Sequence, residues 1–305
     1  MGSRKKLITT ILPAMLCVMA LLLAACGGST TTTTTTTKAA ASKQVLVLPE
    51  GGVPDIATFD PGLSTDVPSV DAIDMVFTGL VQLDDNGNVQ PYLAQSWTVS
   101  SDNLTYTFHL RPNLKFSDGT PLTSADVAYS IDRALQPATK SGTGPYYLRY
   151  VKDASALAAG KIKTIIGDSI KTPDANTVVI TAALPAAFFL EALTYPCSYV
   201  LEKSLVDKYG SPGFTDHLNE GGGDGPFKVQ SYTHSKQIVF VPNPNYYGPI
   251  PQLQKVIYPF YKNGDTTYNA YLSNQLDEGT VPIADYDTAK TRSDFHSVPQ
   301  LWINY

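Results

Sequence analysis

Residues 95–127 leave little conformational freedom. Gln95-Ser-Trp97-Thr-Val99 and Leu104-Thr-Tyr106-Thr-Phe108-His-Leu110 alternate apolar and polar side chains, the period-two pattern of half-buried strands. Ser100-Ser-Asp-Asn103 between them is turn chemistry, so the two strands are expected as a hairpin. Lys115-Phe-Ser-Asp-Gly-Thr120 makes another turn. Thr123-Ser-Ala-Asp126 then opens a helix as a Thr-x-x-Asp variant of the capping box. Val127, Ile131 and Leu135 form the buried stripe of that helix, and Pro137 ends it.

The rest of the body has weaker signals. Val45–Leu48 is expected as a buried strand ended by Pro49 and the Gly51-Gly52 turn, and Val70–Leu80 as a short amphipathic helix. Residues 138–176 are loop-rich, with one short helix near 153–159. Val178–Thr181 is a strand, and Phe188–Leu193 is a short apolar stretch. A boundary falls near residue 200. Beyond it come a helix over Glu202–Tyr209, a break at Gly221-Gly-Gly-Asp-Gly225, and extended runs at 227–229, 237–241 and 255–258. A last helix is expected over Thr267–Leu276.

The N-terminus has the layout of a secretion signal. Arg4, Lys5 and Lys6 precede an uncharged stretch that closes on Leu23-Ala24-Ala25-Cys26. An apolar run of this length is on the edge of spanning a bilayer, but the small-residue ending favours cleavage. Residues 1–25 are therefore expected as the signal peptide. Residues 26–42, with eight threonines at Thr30–Thr37, bury nothing and are expected as a flexible tether.

Without the signal, 19 basic residues face 27 acidic ones, a net charge of about −8. That balance argues against nucleic acid or an anionic membrane surface as partner. Cys197 is the one cysteine left for the folded body, so no intrachain disulfide or cysteine-built metal site is available to it. His109, His217, His234 and His296 lack metal-ligand spacing. No Gly-Lys-Ser/Thr follows Gly221–Gly225 to make a phosphate loop, and no Gly-x-Ser-x-Gly elbow is present. The carboxylates show no pairing that singles out an acid and a base. The sequence gives no positive sign of catalysis, cofactor or metal.

Leu-Ala-Ala-Cys26 resembles the lipobox of bacterial lipoproteins, in which the cysteine carries the lipid. The run from Asp102 to Val127 resembles the signature of family 5 extracellular solute-binding proteins, the oligopeptide- and dipeptide-binding group. Phe59-Asp-Pro61, Tyr92-Leu-Ala-Gln-Ser-Trp97, Asp224-Gly-Pro-Phe-Lys-Val229 and Pro242-Asn-Pro-Asn-Tyr-Tyr-Gly248 resemble further family segments, in family order.

The resemblance implies an α/β fold, a type II periplasmic-binding-protein-like clamshell with an extra domain on its first lobe. Residues 43–77 and 202–301 would form lobe I, 78–201 the inserted domain, and 302–305 the start of a second lobe that is missing here. The chain stops in the apolar run Leu301–Tyr305, so a truncated chain is expected. Ligand contacts carried over from peptide-binding members fall on Thr65 and Val67, on Tyr146 or its neighbour Tyr147, and on Thr280 within Gly279–Pro282. Peptide-binding members often carry an acidic residue where Thr65 stands.

The expected function is capture of a solute, short peptides first, by a monomeric, lipid-anchored receptor that delivers it to the permease of an ABC importer. The alternatives are a receptor for a non-peptide solute (sugar, nickel or haem) and a surface interaction or signalling lipoprotein without transport.

Overall fold

The computed structural model describes residues 44–50 and 52–297. The expected signal, Cys26, the tether and the run 301–305 lie outside them.

Two sheets carry the body, each with its own core. The first takes the order β1-β10-β9-β8 from β1 (Val45–Val47), β8 (Phe227–Thr233), β9 (Gln237–Pro242) and β10 (Lys255–Pro259). β1 runs parallel to β10, and the other pairs are antiparallel. Helix α1 (Val67–Val76) lays Ala72, Ile73 and Val76 onto this sheet, where they share a core with Phe59, Val229, Ile238 and Phe240. α1 starts at Asp66, whose carboxylate accepts from the Ser69 N–H at 3.0 Å, and Pro68 stands in its first turn.

The second sheet, β4-β5-β7-β6, is antiparallel throughout. The expected hairpin is present as β4 (Ala94–Val99) and β5 (Thr105–Leu110), with Trp97 opposite Phe108 and Asn103 in the left-handed conformation its turn requires. β6 (Ile170–Asp174) and β7 (Thr177–Thr181) complete it. The capped helix is α2 (Ser124–Leu135): the Asp126 carboxylate accepts from the Thr123 N–H at 2.8 Å. Val127, Ile131 and Leu135 are all buried against Phe108 and Val178. Cys197 is buried in the same core, which pushes its thiol up to about 12. A short hairpin, β2 (Val81–Leu83) with β3 (Val89–Pro91), flanks this core.

Four short helices, α3 (Gly144–Tyr147), α4 (Ala154–Ala158), α5 (Phe189–Ala192) and α6 (Lys203–Tyr209), fill the connections. α7 (Gly264–Leu272) and α8 (Tyr286–Ala289) follow β10. α7 is displaced from the helix expected over 267–276. Asn263 caps it, accepting from the Thr266 N–H at 3.1 Å, and it ends four residues early.

The glycine-rich break joins the two cores. The N–H groups of Asp224 and Gly225 donate to the Val76 carbonyl at 3.0 and 2.7 Å, closing the end of α1. A Cβ on Gly225 would lie 2.6 Å from the Val76 carbonyl carbon, so the approach requires glycine. Asp224, fully enclosed, accepts from both the backbone and the hydroxyl of Thr78, and burial pushes its carboxyl up to about 7.

Candidate functional site

The segment Phe59–Val67 leads into α1 and is anchored from the other core. Asp60, with no solvent exposure, accepts from the Gly62 N–H at 3.0 Å and receives both guanidinium nitrogens of Arg133 from α2. Arg133 also donates to the Ser211 hydroxyl at 2.8 Å and lies over the Phe214 ring. No local sequence pattern marks Arg133, because its partner is 73 positions away.

This anchoring fixes a rim. Ser64 is buried, while Thr65 and Val67 on either side of the Asp66 cap are exposed, Val67 by 57%. The Tyr195 hydroxyl reaches the Ser64 carbonyl at 3.5 Å, and its ring stacks on Tyr147 with centroids 3.9 Å apart and planes 12° off parallel. Tyr146 meets Tyr147 edge-on at 5.0 Å and is 60% exposed, with the Arg149 guanidinium over its ring. Tyr146 and Tyr147 are thus linked through Tyr195 to the backbone beside Thr65. Nothing in the sequence had marked Tyr195.

Thr280 is exposed and follows a segment held at β1. After α7, the Asp277 N–H donates to the Val47 carbonyl at 2.9 Å, and the Asp277 carboxylate accepts from the Val47 N–H at 2.7 Å. These two bonds pin the following residues against the free edge of β1. Glu278 thereby lines a cavity of about 500 Å³ together with Val67, Glu50 and Tyr258. Gly279 and Val281, flanking the exposed Thr280, line an adjoining cavity of about 640 Å³ that shares Leu48 and Glu278 with the first. Thr280 is not itself in either lining.

Glu50, absent from the candidates read in the sequence, is the buried member of the first cavity, with only 5% exposure. Burial, and then the like charges of Asp71 and Asp66, push its carboxyl up to about 8. Among the described residues, no cluster of three or more His, Cys, Asp or Glu side chains is arranged to hold a metal.

The two sheets and this rim are one half of a periplasmic-binding-protein clamshell. A periplasmic oligopeptide-binding protein from Borrelia burgdorferi superposes with a TM-score of 0.73 at 30% identity, over 82% of this chain and 50% of that one. The Haemophilus influenzae oligopeptide-binding protein, solved in complex with RPPGFSPFR, gives 0.72 at 26% identity, over 81% and 48%. A dipeptide-binding protein of Lactococcus lactis subsp. cremoris is 32% identical over 249 residues, which is 80% of this chain and 45% of that protein. The chain thus spans about half the length of these relatives. The family model "Bacterial extracellular solute-binding proteins, family 5 Middle" matches residues 88–305, and the chain belongs to that family.

Proposed function

We propose that the chain is the first half of an extracytoplasmic receptor that captures peptides and delivers them to the permease of an ABC importer. It works as a monomer tethered to the membrane through a lipid on Cys26. The observation that carries this reading is the shared rim: Thr65, Val67 and Tyr146 stand exposed on braced backbone, with Tyr147 half-buried beside them, next to cavities flanked by the Thr280 segment. Membership of a solute-binding family and likeness to peptide-binding relatives support it.

In this reading residues 43–77 and 202–301 make the first lobe and 78–201 the inserted domain. The two separate cores support that division. An opposing lobe closes over the rim, excludes water and presents the closed form to the permease. Extended backbone hydrogen bonds and roomy side-chain pockets would let one site accept varied peptides. The chain's own residues position and enclose; none is assigned a catalytic step. Calorimetry of the whole receptor with a peptide pool tests this. Heat from peptides at micromolar concentration is expected, and a protein that binds only sugars, nickel or haem would end the peptide reading.

A further inference from the structure

The cavity beside Val67 gathers four carboxylates, those of Glu50, Asp71, Asp74 and Glu278. Glu50 continues the β1–β10 ladder, its N–H directed at the Pro259 carbonyl at 3.4 Å. Its side chain, 95% removed from solvent, lines the cavity and has no hydrogen-bond or ion-pair partner among the described residues. Asp71 and Asp74 from α1, and Glu278 from the segment pinned to β1, stand exposed around it. Among the described residues, the lining contains no Lys, Arg or His.

An ionised carboxylate buried without a counter-charge is strongly disfavoured. Four carboxylates around one opening make the deficit larger, because each raises the cost of ionising the next. A proton on Glu50 meets that cost at neutral pH, and a compact cation arriving from solvent can take its place. Val67, Pro68 and Tyr258 supply apolar wall along which the methylene stem of a long cationic side chain can lie. The carboxylates are not clustered as metal ligands among the described residues, which favours an organic cation over a divalent ion.

We propose that this cavity is a subsite for the ammonium or guanidinium group of a solute, with Glu50 as its principal counter-ion and Asp71, Asp74 and Glu278 as the surrounding field. The subsite rests on the solute-capture reading and narrows it to solutes carrying a positive charge.

The state of Glu50 gives the subsite a signature. Burial and the neighbouring Asp71 and Asp66 carboxylates push its carboxyl up to about 8, which favours the protonated form at neutral pH when no cation is bound. The other groups facing it are Asp74, Glu278 and the Tyr258 hydroxyl. A bound cation stabilises the ionised form, so binding displaces the Glu50 proton into solvent. Affinity for a permanently charged ligand therefore rises with pH up to about 8, by at most about tenfold per pH unit for one proton released.

The test is a titration of the full chain, followed by amide chemical shifts, with three probes. Nα-acetyl-lysine amide offers only a side-chain ammonium, alanine amide only an α-ammonium, and Nα-acetyl-norleucine amide no charge. The expected result is that acetyl-lysine amide moves the amides of Glu50, Asp71 and Glu278, at least about tenfold more tightly than the norleucine probe. Its affinity should climb between pH 6.5 and 8. Response to alanine amide alone would assign the cation to a ligand's amino terminus and support the same chemistry. Glu50→Gln should abolish both the preference for charge and the pH dependence, and Asp71→Asn should weaken binding with the pH dependence kept. Equal response to the charged and neutral probes, or no response to any, overturns the subsite. A whole receptor that binds peptides regardless of their charge would leave solute capture standing and remove only this inference.

Discussion

Arg133 on α2 and Asp60 in the Phe59–Val67 segment form a bidentate ion pair across the two cores, with Arg133 7% exposed and Asp60 not at all. The pair tethers the helix of one core to the loop that presents Thr65 and Val67 from the other. Breaking a buried pair from one side leaves an uncompensated charge and typically costs about 3–5 kcal/mol. Arg133→Met and Asp60→Asn should each lower the urea midpoint by a corresponding amount. The double variant should be more stable than the sum of the two predicts, because neither charge is then stranded. Additivity of the two losses would show that the residues act separately.

Gly225 carries a steric demand of a different kind. An added Cβ would meet the Val76 carbonyl carbon at 2.6 Å and the Met75 carbonyl oxygen at 3.0 Å, all backbone with no side chain to swing aside. Gly225→Ala should cost about 1–3 kcal/mol through forced separation of the loop from α1. Gly87→Ala serves as the contrast in space. Nothing lies within 4 Å of it, and any loss there comes from its positive φ alone. Paired thermal melts of the two variants, showing the larger drop for Gly225→Ala, check this.

What could be read ahead of the structure was whatever depended on local periodicity. The β4–β5 hairpin, the capped helix α2 and the strands β1, β7, β9 and β10 all carry uninterrupted apolar patterns. β2 and β3 leave no legible pattern because they are three residues each, too short for a period to register. β6 was hidden by Pro173 and a register shift between Lys171 and Asp174. The exposed rim residues came from likeness to a family, not from any physical signal. The groups that hold the rim up, Arg133 and Tyr195, meet their partners only through the tertiary fold. Glu50 was invisible for the same reason: beside Gly51 and Gly52 it looks like a turn residue, and only the β1–β10 pairing buries it.

The two tyrosines of the rim should separate by function. Tyr146 is 60% exposed and packs only edge-on against Tyr147 and under the exposed Arg149 guanidinium, whereas Tyr147 is half-buried and stacked on Tyr195. Tyr146→Ala should weaken peptide binding by the whole receptor about tenfold, roughly 1.4 kcal/mol, and leave the melting temperature unchanged. Tyr147→Ala should lower the melting temperature as well, since it removes an aromatic pair worth about 0.5–1.5 kcal/mol. Calorimetry and melts on the same preparations distinguish the two. Unchanged affinity for both variants would remove this pair from the binding surface.

Stability should fall as pH rises from 5 to 8. Glu50 is raised from 4.5 to about 8 and Asp224 from 3.8 to about 7, so the folded chain holds both protons more tightly than the unfolded one. For a raised group the contribution is complete below the unfolded value and lost as pH passes the folded value. His234, between Asp55 at 2.9 Å and Asp216 at 3.0 Å, is also raised, so its contribution fades above its usual range and adds the same sign. The lowered carboxylates, Glu220 and Asp294 among them, act in the opposite sense, but only below their ordinary values, in acid. The melting temperature should therefore be higher at pH 5 than at pH 8. Glu50→Gln should raise the melting temperature at pH 8 and flatten the profile, because a neutral amide has no proton to lose. A profile that rises from pH 5 to 8, or a Glu50→Gln profile identical to the parent, would show that Glu50 ionises freely and that its burial carries no charge penalty.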